Sequence, residues 1–190
     1  MYDIDIREAL FDYLDDNYGK NRILEEKVMG RSRADLIMVL PEQLIGLEIK
    51  SDADTYERLK RQVRDYDRFC DCNYIVVGRS HEKHVASHVP EWWGIFQVYM
   101  EQGQVFVEQM REAKPSPKCQ ISLQLRWLWR PELNHILARN HLPKYRHKSK
   151  AFVQGKILEK VSPELLKGQI CDELFERDYT LWQDGFYEES

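Results

Sequence analysis

Residues 33–50 hold two short segments in which apolar and polar side chains alternate, and this pattern predicts a β-hairpin. Pro41 suits the second position of a type I turn between the segments. We predict a four-residue loop over residues 41–44, which pairs Leu40 with Ile45. This register decides which side chains of the hairpin share one face of the sheet.

Three ionisable side chains fall on the same face under that register. Asp35 lies opposite Lys50, and Glu48 precedes Lys50 by two positions on the same strand. Diagonal neighbours on a sheet lie roughly 7–8 Å apart at the backbone, so both carboxylates can reach one ion. A slip of one residue would turn Asp35 to the opposite face and destroy this arrangement.

The opposite face of the second strand is apolar and predicts a buried position for the hairpin; its residues are Ile45, Leu47 and Ile49. Ionised groups beside a core are rare unless they are paired or bind a metal. Oxygen ligands with open coordination positions suit Mg2+ or Mn2+, which assist phosphodiester hydrolysis. Lys50 could orient or deprotonate the attacking water, or neutralise charge on the phosphate.

Asp35, followed after twelve residues by Glu48-Ile49-Lys50, resembles the signature of the PD-(D/E)XK nuclease superfamily. The resemblance extends over residues 1–110, in the order helix, three strands, helix and strand. Ala34 stands where the superfamily commonly has Pro.

Two further stretches, residues 89–95 and 128–130, resemble a family within that superfamily that is carried by phages and mobile elements. The resemblance implies a mixed α/β, restriction-endonuclease-like fold, with a central sheet flanked by helices. It also implies a metal-dependent deoxyribonuclease that uses Mg2+ or Mn2+.

The resemblance assigns roles to individual residues. The metal ligands would be Asp35, Glu48 and the carbonyl of Ile49. Gln62 and Tyr66, on the helix after the hairpin, would approach the catalytic face. The full catalytic set that it implies is Asp35, Glu48, Lys50, Gln62, Tyr66 and Glu8.

Two members of this set have a structural alternative. Asp5 and Glu8 have the spacing of a capping box at the start of the first predicted helix, and this explains Glu8 without catalysis. Gln62 lies on the apolar stripe of a helix predicted over residues 55–69. It is either a site residue or a core amide with partners inside the fold.

The chain of 190 residues is predicted to hold a nuclease-like core at 1–113, a Pro-containing linker at 114–118 and a helical region at 119–190. Residues 118–160 contain ten Lys or Arg and two acidic residues, although the net charge of the chain is −4. This basic segment favours a phosphate-facing surface, with a helical cap on the core as the alternative. The predicted nucleic-acid-binding residues are Arg33, Lys144, Arg146, Lys148 and Lys150.

Other sequence features limit the cellular compartment and the partners that we expect for the chain. We find no apolar run near eighteen residues and no signal layout, and the four cysteines form no zinc frame. These features predict a reduced, cytoplasmic protein without a membrane span, and they leave a homodimer open. His81, His84 and His88 follow helical spacing and suit either a zinc site or a surface helix.

The sequence therefore predicts a deoxyribonuclease that acts in phage or mobile-element biology, repair or restriction, with DNA as its partner. The first alternative is a non-cleaving nucleic-acid-binding module or complex subunit on the same fold. A protein-interaction or inhibitor role is the second alternative, and it leaves the two acids and the lysine unexplained.

Overall fold

The computed structural model describes residues 3–179, apart from the side chains at positions 3, 4, 82 and 83. The chain divides into two compact units, Met1–Cys119 and Gln120–Ser190. We call them the sheet unit and the helical unit.

The sheet unit contains a six-stranded sheet in which the strand order follows the chain. β3, β4 and β5 run parallel to one another, and the remaining neighbours are antiparallel. The predicted mixed α/β fold, with a central sheet flanked by helices and further helices after it, is confirmed. The elements are α1 (Asp3–Tyr18), β1 (Arg22–Met29), β2 (Ser32–Leu40), β3 (Gln43–Lys50), α2 (Leu59–Phe69), β4 (Cys72–Gly78), α3 (Glu82–His88), β5 (Gly94–Glu101) and β6 (Gln104–Arg111), with a short 3-10 turn at Arg79–His81.

The two long helices of this unit cover opposite faces of the sheet. The apolar stripe of α1 packs with alternate residues of the central strands, among them Leu36, Leu47 and Phe96, in the main core. α2 lies on the other face, where the ring of Tyr66 sits directly over Gly46. A side chain at Gly46 would overlap that ring, so glycine permits the close approach of helix and strand.

The turn between β2 and β3 is shorter than predicted. Leu40 pairs with Gln43 and Met38 with Ile45, so Pro41 and Glu42 alone form the loop. The prediction of a four-residue loop was wrong because Leu44 is fully buried and extends the strand instead. The register differs from the predicted one by two residues, and an even shift keeps every side chain on its predicted face.

Backbone pairing between β2 and β3 stops before the strands themselves end. It runs from Leu40↔Gln43 to Leu36↔Leu47. Beyond that pair, β2 continues beside β1, and β3 continues beside β4 from Glu48 to Lys50. The sheet therefore opens between Asp35 and Glu48, which would be the next pair in register.

The helix predicted over residues 55–69 begins later, at Leu59. The preceding residues form a turn in which the Asp54 carboxylate accepts hydrogen bonds from Ser51, 2.8 Å from its amide nitrogen and 2.6 Å from its hydroxyl. Asp54 thus closes a turn ahead of the helix. Of the residues predicted as a linker, Ser116 donates its hydroxyl to the carbonyl of Asp67 at 2.7 Å, within the sheet unit.

The helical unit is built around apolar residues of three helices, such as Ile136, Ile157 and Ile170. Its buried ion pair joins Arg177 to Glu132 at 2.6 Å. Among the residues described, no helix is both long and apolar enough to cross a membrane. The elements are α4 (Ile121–Gln124), a 3-10 turn (Leu125–Trp127), α5 (Arg130–Arg139), α6 (Lys150–Lys160) and α7 (Pro163–Glu176).

Candidate active site

Glu48 is the centre of a buried polar cluster on the α2 face of the sheet. Its side chain is fully enclosed. Oε1 lies 2.6 Å from the Lys50 Nζ and also accepts a hydrogen bond from the Gln62 Nε2. Oε2 is buried and has no hydrogen-bond partner among the described residues. One carboxylate oxygen is thus engaged by two donors, and the other is enclosed within the cluster.

Gln62 links α2 to both charged groups of this cluster. Its amide nitrogen donates to Glu48, and its amide oxygen accepts from the Lys50 Nζ at 3.3 Å. Both ends of the amide are therefore engaged in the site. Gln62 was predicted to be either a site residue or a core amide with partners inside the fold. It is both, because its amide is hydrogen-bonded at both ends and its partners are the predicted site residues.

Asp35 and Tyr66 occupy the opening between β2 and β3. The Asp35 Oδ2 accepts a hydrogen bond from the Ile49 amide at 2.8 Å. The Tyr66 hydroxyl accepts from the Asp35 amide at 3.0 Å and donates to the Leu47 carbonyl at 2.9 Å. These side chains replace the backbone ladder at the point where it ends. They hold the acid-bearing ends of the strands at a fixed separation.

Tyr66 contacts the strands that carry the two acids through its hydroxyl. Its ring is fully buried, and its hydroxyl is committed to the backbone of two strands. Burial raises the pKa of the Tyr66 hydroxyl well above its usual value, so it stays neutral and donates. Tyr66 therefore positions Asp35 through the backbone of the two strands.

The electrostatics of the cluster favour a proton or a cation beside Glu48. The pKa of Glu48 is raised to about 7, chiefly by burial and then by the negative charge of Asp35, while Lys50 opposes the shift. In the buried site the charged Glu48 carboxylate loses its hydration, and the negative charge of Asp35 repels it. A cation placed between Asp35 and Glu48 would relieve both effects.

The donor set fits a hard divalent ion. The site offers the Asp35 and Glu48 carboxylates, to which the family resemblance adds the Ile49 carbonyl. Mg2+ is commonly held by one or two carboxylates together with water. Within residues 3–179, no group of three or more His, Cys, Asp or Glu side chains is placed to hold a metal. A zinc centre, which needs three or four protein ligands, is not supported by this donor set.

Glu8 does not join the cluster. It is exposed on α1, which packs on the opposite face of the sheet from Glu48, and it lines a groove with Asp5, Asp12 and residues of β6. The expectation that Glu8 supports the metal is therefore not met. Helical periodicity predicts which residues of a helix are buried, but it does not predict which face of the sheet the helix covers.

The three histidines, which suited either a zinc site or a surface helix, form no metal-binding group among the described residues. His84 is exposed. The His81 Nε2 lies 3.0 Å from the Ser51 carbonyl oxygen, and the His88 ring stacks on Tyr56 with 4.1 Å between centroids. Their contacts are local packing interactions around the segment between β3 and α2.

The predicted nucleic-acid-binding residues are solvent-accessible but belong to different units. Arg33 lies in the sheet unit, two residues before Asp35, and forms a 2.5 Å ion pair with Glu26. In the helical unit, Lys144, Arg146 and Lys148 are exposed. Lys150 is half-buried at the start of α6, and its Nζ donates to the Arg126 carbonyl at 3.5 Å.

Sequence reasoning missed the residue that anchors α2. Asp67 is fully buried, and its Oδ1 accepts hydrogen bonds from the indole nitrogens of Trp92 and Trp93 at 2.9 and 2.8 Å. The Trp93 ring in turn meets Tyr66 edge-on, with centroids 5.5 Å apart. The adjacent tryptophans were the signal, because a buried indole requires an acceptor and an acid on the facing helix supplies one.

The comparisons with known proteins identify the family of the chain. No curated protein matches it. One solved structure that resembles it is Pyrococcus furiosus SfsA in complex with Ca2+, with 15% identity and a TM-score of 0.32; the match covers 60% of this chain and 60% of that chain. A structural similarity at this level carries no argument about function. The family model described as bacteriophage P4 protein cII matches residues 1–190, so the chain belongs to the bacteriophage P4 protein cII family.

Proposed function

We propose that the chain is a metal-dependent deoxyribonuclease of the PD-(D/E)XK type, which hydrolyses phosphodiester bonds in DNA with Mg2+ or Mn2+. One observation carries the proposal. Asp35, Glu48 and Lys50 meet where β2 and β3 part, and a buried oxygen of Glu48 has no partner among the described residues. A purely structural role leaves that buried, unpaired oxygen unexplained, since such a group costs free energy.

Asp35 and Glu48 would hold the ion, with the Ile49 carbonyl as a further ligand. A bound Mg2+ or Mn2+ supplies positive charge that polarises the phosphodiester and lowers the pKa of a coordinated water. Asp35 is held in place by the Ile49 amide, so its carboxylate is oriented before any ligand arrives. This preorganisation reduces the cost of assembling the site.

Lys50 would act on the reacting atoms. Its ammonium lies beside Glu48 and Gln62 and carries the positive charge of the cluster. In that place it orients the attacking water by a hydrogen bond or stabilises the charge that develops on a phosphate oxygen. Gln62 is a positioning residue, because its amide fixes both Lys50 and Glu48.

The experiment compares cleavage of plasmid DNA and labelled oligonucleotides by the wild type and by Asp35→Asn, Glu48→Gln and Lys50→Met. Metal-ion catalysis supplies several kcal/mol, so each variant should lose about 100-fold or more of the rate. Glu42→Gln, an exposed change in the turn of the same hairpin, is the matched control and should cleave as the wild type does. If the three site variants cleave as fast as the wild type and the control, the activity belongs to a contaminating nuclease.

A second candidate is a nucleic-acid-binding module that does not cleave. The observation in its favour is the closed pair of Lys50 and Glu48, which lie 2.6 Å apart with side-chain exposures of 9% and 1% and can also serve as a structural ion pair. This candidate predicts DNA binding without cleavage in any metal. It also predicts no Mn2+ binding by the wild type in isothermal titration calorimetry, whereas the nuclease binds Mn2+ and Glu48→Gln weakens that binding.

A further inference from the structure

The loop before α6 and the start of that helix form a concentrated positive surface in the helical unit. Residues 140–156 contain five Lys or Arg and neither Asp nor Glu. Lys144, Arg146 and Lys148 on the loop are exposed. A surface of this sign and density attracts phosphate groups.

An aromatic side chain lies within this positive surface. Phe152, in the first turn of α6, is 38% exposed. The Lys148 Nζ lies 5.4 Å from the centre of the Phe152 ring. The Lys156 Nζ lies 5.9 Å from it and is also paired with Glu159 at 2.6 Å. Tyr145 meets Phe152 edge-on, with centroids 5.4 Å apart. The exposed Phe152 ring is thus bordered by two cations and by a second aromatic ring.

The loop that carries these groups is held in one conformation. Arg130, at the start of α5, donates to the Lys148 carbonyl at 2.6 Å and to the Tyr145 carbonyl at 2.8 Å. Ser149 caps α6 by accepting a hydrogen bond from the Phe152 amide at 3.2 Å. A basic segment of this composition without such bonds would be flexible. The bracing by Arg130 lowers the entropy that a ligand must overcome on binding.

We propose that this aromatic and basic patch, formed by Lys144, Tyr145, Arg146, Lys148, Phe152 and Lys156, binds single-stranded nucleic acid. An unpaired base stacks on Phe152 against Tyr145, and the flanking lysines and arginine contact the adjoining phosphates. Single strands are favoured over duplex because base faces inside a duplex are covered by their neighbours. A surface that bound only the phosphates of a duplex would not need the exposed Phe152 ring.

The inference deepens the proposed function by naming the strand form of its substrate, but it rests on contacts in the helical unit only. Binding is therefore measured apart from cleavage, in EDTA with the full chain. The probe is a fluorescein-labelled oligothymidylate of about 20 nucleotides, longer than the usual site of one small binding fold. The readout is fluorescence anisotropy at several salt concentrations.

The decisive variant is Phe152→Leu, which keeps an apolar side chain at the position and removes the ring. We expect about tenfold weaker binding, the usual effect of losing one stacked base. Leu158→Ala is the matched control, because Leu158 lies on the same helix with a comparable exposure of 37%. Lys148→Gln should weaken binding and reduce the salt dependence by the equivalent of about one phosphate contact. Circular dichroism verifies that each variant is folded.

Three outcomes would overturn the proposal. The first is an unchanged affinity of Phe152→Leu for the oligonucleotide. The second is a duplex of the same length that competes as well as the single strand does. The third is that anionic vesicles displace the labelled oligonucleotide more effectively than unlabelled single strand does. The two proposals fail separately. Tight, ring-dependent binding without cleavage in Mg2+ or Mn2+ would reject the nuclease alone, and cleavage with ring-independent binding would reject the patch alone.

Discussion

The carboxylate of Asp35 accepts a hydrogen bond from the backbone amide of Ile49, 2.8 Å away on the neighbouring strand. This side-chain hydrogen bond joins β2 to β3 just beyond the point where the backbone pairing between the two strands stops. The bond uses one oxygen of the Asp35 carboxylate, and it holds the carboxylate in place without a ligand. Asp35 is therefore part of the sheet as well as part of the candidate site.

This dual position predicts that two substitutions at Asp35 differ in stability. The amide oxygen of Asp35→Asn can still accept from Ile49, whereas Asp35→Ala leaves that amide unpaired. We expect Asp35→Ala to lower the free energy of unfolding by about 1–2 kcal/mol relative to Asp35→Asn, measured by urea denaturation. Equal stability of the two variants would show that the hydrogen bond contributes nothing in solution.

The hydroxyl of Tyr66 predicts a second, local effect. Tyr66→Phe leaves the Asp35 amide and the Leu47 carbonyl without their partner, and we expect a loss of about 1–3 kcal/mol. Hydrogen exchange at the Asp35 amide should accelerate more than exchange in β4. Tyr99→Phe, a half-buried change on β5, provides the comparison, and similar losses in both variants would argue against a special role for the bridge.

The pKa of Glu48 predicts how stability depends on pH. It rises from an ordinary value of 4.5 to about 7 in the folded protein, so the folded state binds more protons than the unfolded state between these values. The free energy of unfolding should therefore fall as the pH rises from about 4.5 to about 7 and stay level above that, a change on the order of 1–3 kcal/mol.

The measurement is urea denaturation of the metal-free protein across that pH range. Glu48→Gln carries no titrating group at the position, so the difference between the wild type and this variant isolates the contribution of Glu48 from other acids. Two curves that stay parallel from pH 4 to pH 8 would mean that Glu48 titrates at the same pH in the folded and unfolded chain.

The helical unit predicts a contrast between two ion pairs. Arg177 and Glu132 are buried, with side-chain exposures of 0% and 8%, whereas Arg139 and Asp172 are exposed at 45% and 50%. Arg177→Met should cost about 3–5 kcal/mol because it leaves a buried carboxylate unpaired. Arg139→Met should cost about 0–1 kcal/mol. Thermal denaturation followed by far-ultraviolet circular dichroism compares them, and a small loss in both would indicate that water reaches Glu132.

Strand alternation was sufficient to place Asp35, Glu48 and Lys50 on one face, and it remained so even though the loop length was wrong by two residues. Alternation has a period of two, so an even error does not change the face. Loop length itself depended on whether Leu44 is buried, which is a tertiary property. The helix over Gln62 and Tyr66 was predicted from its apolar stripe, but its first turn was not.

The hydroxyl partners of Tyr66 and the acceptor of the two indoles could not be predicted from local pattern. Both depend on how α2 is rotated against a sheet whose strands are distant in sequence. The expectation for Glu8 failed for a related reason. The face of the sheet that α1 covers depends on the path of the chain between the helix and the sheet, and a local sequence pattern does not reveal that path. Local sequence thus predicted the acids, and long-range packing determined what holds them.

The bridge made by Tyr66 has a consequence for the order in which the protein matures during translation. The strands that carry Asp35 and Glu48 leave the ribosome before α2 does, and the Tyr66 hydroxyl can join them only after residue 66 has followed and docked. A nascent or prematurely terminated chain would contain both acids without the bridge that aligns them. Any activity of the site would then begin only once the helix has docked on the hairpin.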